Sequence, residues 1–348
     1  MKISKGILIG TFVIAILIGF AIGYVAAPVK VEEKIVEKPV EKIVPPKIKV
    51  AGIIQGAIED GDWGTMSKLA LDKIKEKYNG LVEIKMVEIL TFPEIEKAYR
   101  DLAEEGYDIV IGFGAQFADS ALKVAPSYPK TTFVFTCVNK SAPNAVSILY
   151  LEEQLGFFHG LVAGKLTKSN IIGVVLGAEY PCSIAYYNAF KYAVSLVNPK
   201  ATVLVASAGT WIDPAKGKSL AISMIDRGAD VIGQYASVTG TGVYEACKER
   251  GIYTFGNYID QSHFAPNSIV FSMYMTPYPV IDKIIAERLA TGTVKGAAYN
   301  CGLLEGGISP QYPFNLKVDK EIEMIFLEYW GKSLSGAFKI PRIETMPA

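Results

Sequence analysis

The chain has few of the residues that enzymes and metalloproteins depend on. Its 348 residues include only two histidines, His159 and His263, and four cysteines, Cys137, Cys182, Cys247 and Cys301. The cysteines are far apart and form no CxxC pair. A zinc site needs clustered His or Cys ligands, so neither a metal nor a cofactor is expected, and the spacing fixes no disulfide. Neither sign of charge is in excess: 35 Lys and Arg balance 35 Asp and Glu. Binding to nucleic acid leaves a basic patch or stripe in the sequence, and none is present, so no nucleic-acid partner is expected. What the chain does have is apolar residues at 50%, with 19 Tyr and 16 Phe. That composition and length suit about two domains with sizeable cores.

A long uncharged run occurs at the N-terminus. Lys2 and Lys5 precede an apolar stretch from Gly6 to Ala27, long enough for a bilayer span of ~20 residues. It reads as an uncleaved anchor or as a signal peptide, whose small-residue site would be Val25-Ala26-Ala27. No cysteine follows it, which excludes a cysteine-linked lipid anchor. The lysines before it should stay cytoplasmic, so the body is expected outside the cell membrane and the protein at that membrane. Residues 28–47, PVKVEEKIVEKPVEKIVPPK, read as an extended stalk rich in Val, Lys and Pro. Pro39 would interrupt a coiled coil there.

Strand and helix patterns alternate from residue 48 onward. An apolar strand, Ile48 to Ile54, runs into a turn holding Gly56, Glu59, Asp60, Gly61, Asp62, Trp63 and Gly64, and a helix starts near Thr65. Ligands of open α/β sheets bind beyond the C-terminal ends of the strands. Asp60, Asp62 and Trp63 are therefore candidate ligand contacts. Leu81–Leu90, Tyr107–Gly112, Thr131–Asn139 and Ala145–Leu149 read as further strands, with a helix opened by Pro93. Gly112-Phe113-Gly114 lacks the rest of a dinucleotide fingerprint, because Phe117 holds the place of the third glycine. The turn still falls on the ligand edge, so Gly114, Gln116 and Phe117 are candidates to line a cleft.

Leu151–Lys165 reads as an amphipathic helix, with Gly156, Gly160 and Gly164 on one face to admit close packing. His159 on that helix reads as a satisfied, partly buried side chain rather than a catalyst. A second series of strand–helix units follows, with strand ends at Tyr180, at Trp211 and Asp213, at Gln234 and Tyr235, and at Tyr258 and Asp260. The expected fold is α/β: two doubly wound lobes around a hinged cleft. The first lobe would comprise 48–150 plus about 276–297, and the second 151–275 plus about 298–348. Glu305 reads as a loop carboxylate and the helix from Lys320 to Ser333 as structural. Aromatic side chains at the strand ends suit a flat ring, and carboxylates suit N–H or hydroxyl donors.

Four stretches, in order, carry a resemblance to the BMP (basic membrane protein) or PnrA-like family of ABC-transporter solute receptors. They are EDGDWGTMSKLA, GFFHGLVAGKLTKSNIIGVV, WIDPAKGKSLAISMIDRGADVIGQ and TGTGVYEACKERGIYTFGNYIDQS, and together they cover most of residues 48–290. The resemblance implies a type I periplasmic-binding fold, a purine nucleoside or purine base as ligand, ABC permease subunits as partners, and no enzymatic activity. It implies that Trp63 stacks on the base, that Asp60 or Asp62 and Asp260 make polar contacts, and that Trp211 and Asp213 line the other wall. The chain departs from the family pattern at Tyr258, where an acid is usual, and at Tyr235-Ala236-Ser237, where a polar or acidic pair is often found. Those departures remove ribose-binding groups and leave nucleoside and base both open. A membrane-tethered ligand-sensing ectodomain of the same fold is the alternative. A nucleoside hydrolase using Asp60 and Asp62 on a metal fits the residues less well.

Overall fold

Residues 47–346 are described by a computed structural model and form one compact unit. The expected membrane segment (1–27) and all of the expected stalk but residue 47 lie outside the described residues. Among the described residues, no helix is long and apolar enough to cross a membrane.

The first lobe begins with β1 (Ile48–Gln55), α1 (Trp63–Lys77), β2 (Val82–Ile89), α2 (Pro93–Glu104), β3 (Ile109–Gly112), α3 (Ala118–Val124), β4 (Thr132–Thr136) and β5 (Ala145–Tyr150). The second lobe holds α4 (Glu152–Leu166), β6 (Ile171–Leu176), α5 (Pro181–Val197), β7 (Thr202–Ser207), α6 (Pro214–Asp226), β8 (Val231–Tyr235), α7 (Val238–Arg250), β9 (Tyr253–Tyr258) and β10 (Ile269–Met275). The chain then returns through α8 (Tyr278–Thr291) and β11 (Ala298–Cys301), and ends with β12 (Ile308–Pro310) and α9 (Lys320–Leu334).

Each lobe is built on a six-stranded sheet, ordered β11-β5-β4-β3-β1-β2 in one and β12-β10-β9-β8-β6-β7 in the other. All pairs are parallel except β10 with β12. Helices cover both faces, which is why β3, β4 and β5 read as unbroken apolar runs and are buried throughout. The strand order reverses beside β1 and again beside β6. Those switch points open crevices at the C-terminal strand ends, and both sets of ends border one cleft.

Because β11 pairs with β5 and β12 with β10, the last crossing between lobes falls at residues 302–307. That is a few residues beyond the boundary expected near 297. Glu305 is exposed in this crossing and accepts a hydrogen bond from the Gly302 N–H at 3.0 Å.

Helix α4 differs from its amphipathic sequence reading, because nearly all of it is buried. Its glycines explain the burial. A Cβ on Gly156 would lie 2.0 Å from the Tyr186 carbonyl oxygen, and one on Gly160 would lie 2.3 Å from that of Phe190. Helices α4 and α5 are therefore in near-backbone contact. The acidic first turn of α4 is buried as well, so Glu152 and Glu153 need a partner. Arg342, from the C-terminal segment, bonds both carboxylates, at 3.0 Å and 2.5 Å, and the Tyr150 carbonyl at 3.0 Å. This clamp sits at the first crossing between the lobes. His159 is fully buried, with Nδ1 2.9 Å from the Tyr186 hydroxyl and its ring stacked on Phe255. Burial lowers its pKa to about 3, so it stays neutral.

Candidate functional site

The strand ends of the two lobes enclose a cavity of about 360 Å³, at the smaller end of the usual ~300–1,000 Å³ range for ligand pockets. Its walls are aromatic. Trp63 and Phe113 come from the first lobe, and Tyr180, Trp211, Tyr235 and Tyr258 from the second. The Trp63 indole is fixed: its N–H donates to the Phe113 carbonyl at 3.1 Å, and its ring meets Tyr150 and Tyr258 edge to face at 5.6 and 5.2 Å. Opposite, Tyr180 and Trp211 are stacked with centroids 6.2 Å apart. Trp211 lies against the backbone of Gly177, where a Cβ would come within 2.3 Å of its ring. Gln55, Gln116 and Ser237 add polar groups, and Gln116 donates to Gln55 at 3.1 Å. Burial keeps the Tyr235 and Tyr258 phenols protonated by pushing both well above the ordinary tyrosine pKa.

Three of the four non-glycine residues with positive φ among the described residues line this cavity: Cys137 (68°), Ser237 (50°) and Tyr258 (70°). Such conformations cost ~1–3 kcal/mol each and cluster where a side chain must be aimed at a ligand or switch.

The expected site residues fall into two groups. Asp60, Trp63, Gly114, Gln116, Tyr180, Trp211, Tyr235 and Tyr258 line the cavity together. Asp62, Phe117, Asp213, Gln234 and Asp260 do not. Phe117 is fully buried in the core behind β3 and packs edge to face on Tyr99 at 6.2 Å. A one-residue step along the turn aims Gln116 at the cleft and Phe117 away from it. Asp213 is exposed and caps α6 by accepting the Lys216 N–H at 3.0 Å. Asp260 is exposed and accepts the Ser262 N–H at 2.9 Å. Asp60 borders the cavity, but its carboxylate accepts the N–H groups of Asp62, Gly64 and Thr65 at 2.8, 3.0 and 3.0 Å. It braces the turn that precedes α1.

Asp62 joins the lobes. One carboxylate oxygen accepts the Ser237 hydroxyl at 2.8 Å and the other the Gln261 side-chain N–H at 2.7 Å. Gln261 also donates to the Gly61 carbonyl at 3.2 Å. Behind these contacts, Tyr244 donates to Gln261 at 2.6 Å and Gln234 donates to Tyr244 at 2.5 Å. Gln234 is thus a buried support of the bridge. Burial lifts the Asp62 pKa to about 7, with the nearby Asp60 charge adding to the rise and the donated hydrogen bonds opposing it. These hydrogen bonds tie the two lobes together across the cleft.

Sequence reasoning missed Gln55, Phe113, Cys137, Cys182, Ser237 and Val238 as cavity walls. Gln55 ends β1, and Cys137 follows β4, so the strand-end rule applied to every strand would have included both. The Ser237–Asp62 and Gln261–Asp62 bonds left no sequence signal, because partners 175 and 199 residues apart meet only in the folded chain.

Two doubly wound lobes around an aromatic cavity are the architecture of the periplasmic-binding type. Residues 47–341 match the family described as ABC transporter substrate-binding protein, PnrA-like. The chain belongs to that family, which is one of substrate-binding proteins and not of enzymes. Among its relatives, the transcriptional activator protein Med of Bacillus subtilis is 28% identical, covering 74% of this chain and 81% of that one. A purine-binding protein of Brucella abortus is 27% identical, covering 75% of this chain and 74% of its own. Among solved structures, an ABC transporter solute-binding protein from Aeropyrum pernix superposes with a TM-score of 0.74 at 21% identity, covering 86% of this chain and 94% of that one. That likeness is one of fold.

Proposed function

We propose that this chain is the receptor of an ABC importer that captures a purine base in its interlobe cleft and presents it to the permease. The observation that carries this reading is the cavity, lined by six aromatic side chains contributed by both lobes. A purine stacked between such rings gains ~1–3 kcal/mol per stack. Trp63 from one lobe and the Tyr180–Trp211 pair from the other are the stacking surfaces, and Gln116, Gln55 and Ser237 supply hydrogen-bonding groups for the ring edge. The relative described as purine-binding supports the ligand class.

The free base is favoured over the nucleoside because no expected carboxylate is available to ribose hydroxyls. Asp60 is bonded to three backbone N–H groups, Asp62 is spent on the bridge, and Asp213 and Asp260 face solvent. Closure brings Asp62 onto Ser237 and Gln261, so a ligand that favours the closed form shifts the lobes together. We place the body outside the cell membrane, held there by the N-terminal apolar segment. The test is tryptophan fluorescence of the full chain in detergent. Adenine, guanine or hypoxanthine should quench it saturably, and Trp63→Ala should require more than about tenfold higher ligand. Emission indifferent to all three bases would count against the stacking role.

A second reading, a tethered sensory ectodomain, is favoured by the similarity to Med. Deleting the gene would then change transcription in response to purines while leaving purine uptake intact.

A further inference from the structure

We propose that Cys137, Cys182 and Glu152 form a binding site for one thiophilic metal ion, Zn²⁺ or a softer cation, in the wall of the cleft. The two sulfurs and a carboxylate oxygen lie within 4.8 Å of one another, and all three residues are buried. Zinc binds thiolate at about 2.3 Å and carboxylate at about 2.0–2.2 Å, so a modest inward movement of these side chains closes the donors around one ion. Glu152 has the acceptor to spare. Its Oε2 takes the Arg342 hydrogen bond at 3.0 Å, and its Oε1 is buried with no partner. A buried carboxylate oxygen left unsatisfied is costly unless something completes it. Cys137 and Cys182 both face the cavity, which gives the ion an entry path and leaves its fourth position open toward the cleft.

The three donors come from separate parts of the fold. Cys137 follows β4 in the first lobe, Cys182 is in the first turn of α5 in the second, and Glu152 opens α4 at the crossing between them. Cys137 holds its sulfur there at a φ of 68°, a backbone conformation an L-residue adopts only under constraint. An ion bound here ties one lobe to the other beside the hinge. Binding is a ligand exchange without oxidation. Two S–H bonds break, two sulfur–metal bonds form, and the two protons leave to solvent, so affinity rises with pH. The proposal is independent of what organic ligand the cleft takes.

The test is titration of the reduced, metal-free full chain in detergent with Co²⁺, followed by displacement with Zn²⁺. The expected result is saturation at one equivalent, with the near-ultraviolet thiolate-to-cobalt charge-transfer absorption and the visible bands of a four-coordinate ion. Cys137→Ser and Cys182→Ser should each weaken binding by about tenfold or more, and Glu152→Gln should do so with the charge-transfer absorption retained. Cys247→Ala, on the buried face of α7, should bind cobalt as the parent does. The proposal is overturned if the parent protein, shown folded by a cooperative melt, gives no stoichiometric band. It is also overturned if the Cys137→Ser/Cys182→Ser double variant, equally folded, binds as tightly, or if the two sulfurs remain joined as a disulfide that reductant at working concentration does not open.

Discussion

At the scale of single residues, three side chains in one turn have three distinct jobs. Asp60 satisfies the N–H groups that open α1, Asp62 reaches across to the second lobe, and Trp63 stands in the cleft wall. The sequence shows the three as one acidic-aromatic cluster and gives no sign of the division. The backbone makes it, because successive residues at a helix start point in different directions. Asp62 carries a clear pH expectation. Its folded pKa of about 7 stands above the ordinary 3.8. Between those values the native state holds a proton that the unfolded chain has released. The stabilisation is therefore complete below about pH 4 and is lost as pH rises toward 7. Chemical denaturation at several pH values should show wild-type stability falling relative to Asp62→Asn across that window, by no more than ~1.4 kcal/mol per pH unit. Parallel profiles for the two proteins would mean that Asp62 is ionised in the folded state throughout.

At the scale of elements, the pairing of α4 with α5 sets how the second lobe packs. The four-residue glycine spacing was legible in the sequence as a packing face, and α5 is the element it receives. The burial of the rest of α4 was not legible. Its Glu152, Glu153 and Lys165 resemble the polar face of a surface helix until Arg342, some 190 residues away in sequence, is seen to cover the first two. Gly160→Val should lower stability by at least about 2 kcal/mol, since a Cβ there would collide with the Phe190 carbonyl oxygen, which backbone geometry holds in place. Gly331→Ala in α9 is the matched control. Nothing lies within 4 Å of a Cβ there, and replacing a helical glycine by alanine should raise stability by about 0.5–1 kcal/mol. Thermal melts of the two variants should move in opposite directions. A melt of Gly160→Val that matches wild type would show that the α4–α5 contact can open without cost.

At the scale of the whole molecule, alternating strands and helices disclosed both lobes, and the repeat of the pattern disclosed their kinship. The strand ends that border the cleft follow from the topology rule, which is why Trp63, Tyr180, Trp211, Tyr235 and Tyr258 are legible in the sequence. Phe117, Gln234, Asp213 and Asp260 sit at equally good positions in the pattern, yet they point into the core, into a buried hydrogen-bond chain, or into solvent. Pattern locates a strand end to within a residue or two, whereas the direction of a side chain reverses over one residue. The left-handed backbone conformations of Cys137, Ser237 and Tyr258, by contrast, leave no mark in the pattern.

The central claim is that the closed cleft recognises a purine base, with its carboxylates committed to holding the turn and the bridge. Isothermal titration of the full chain in detergent against adenine, guanine and hypoxanthine, and against adenosine, guanosine and inosine, tests it most directly. The account predicts one-to-one binding of at least one base with a Kd near or below 1 μM, about −8 kcal/mol, and binding of the matching nucleoside at least about tenfold weaker, a loss of ~1.4 kcal/mol. Protein that is folded and ligand-free yet gives no heat with any of the six would contradict the purine reading, and a nucleoside that binds more tightly than its base would contradict the account of the carboxylates.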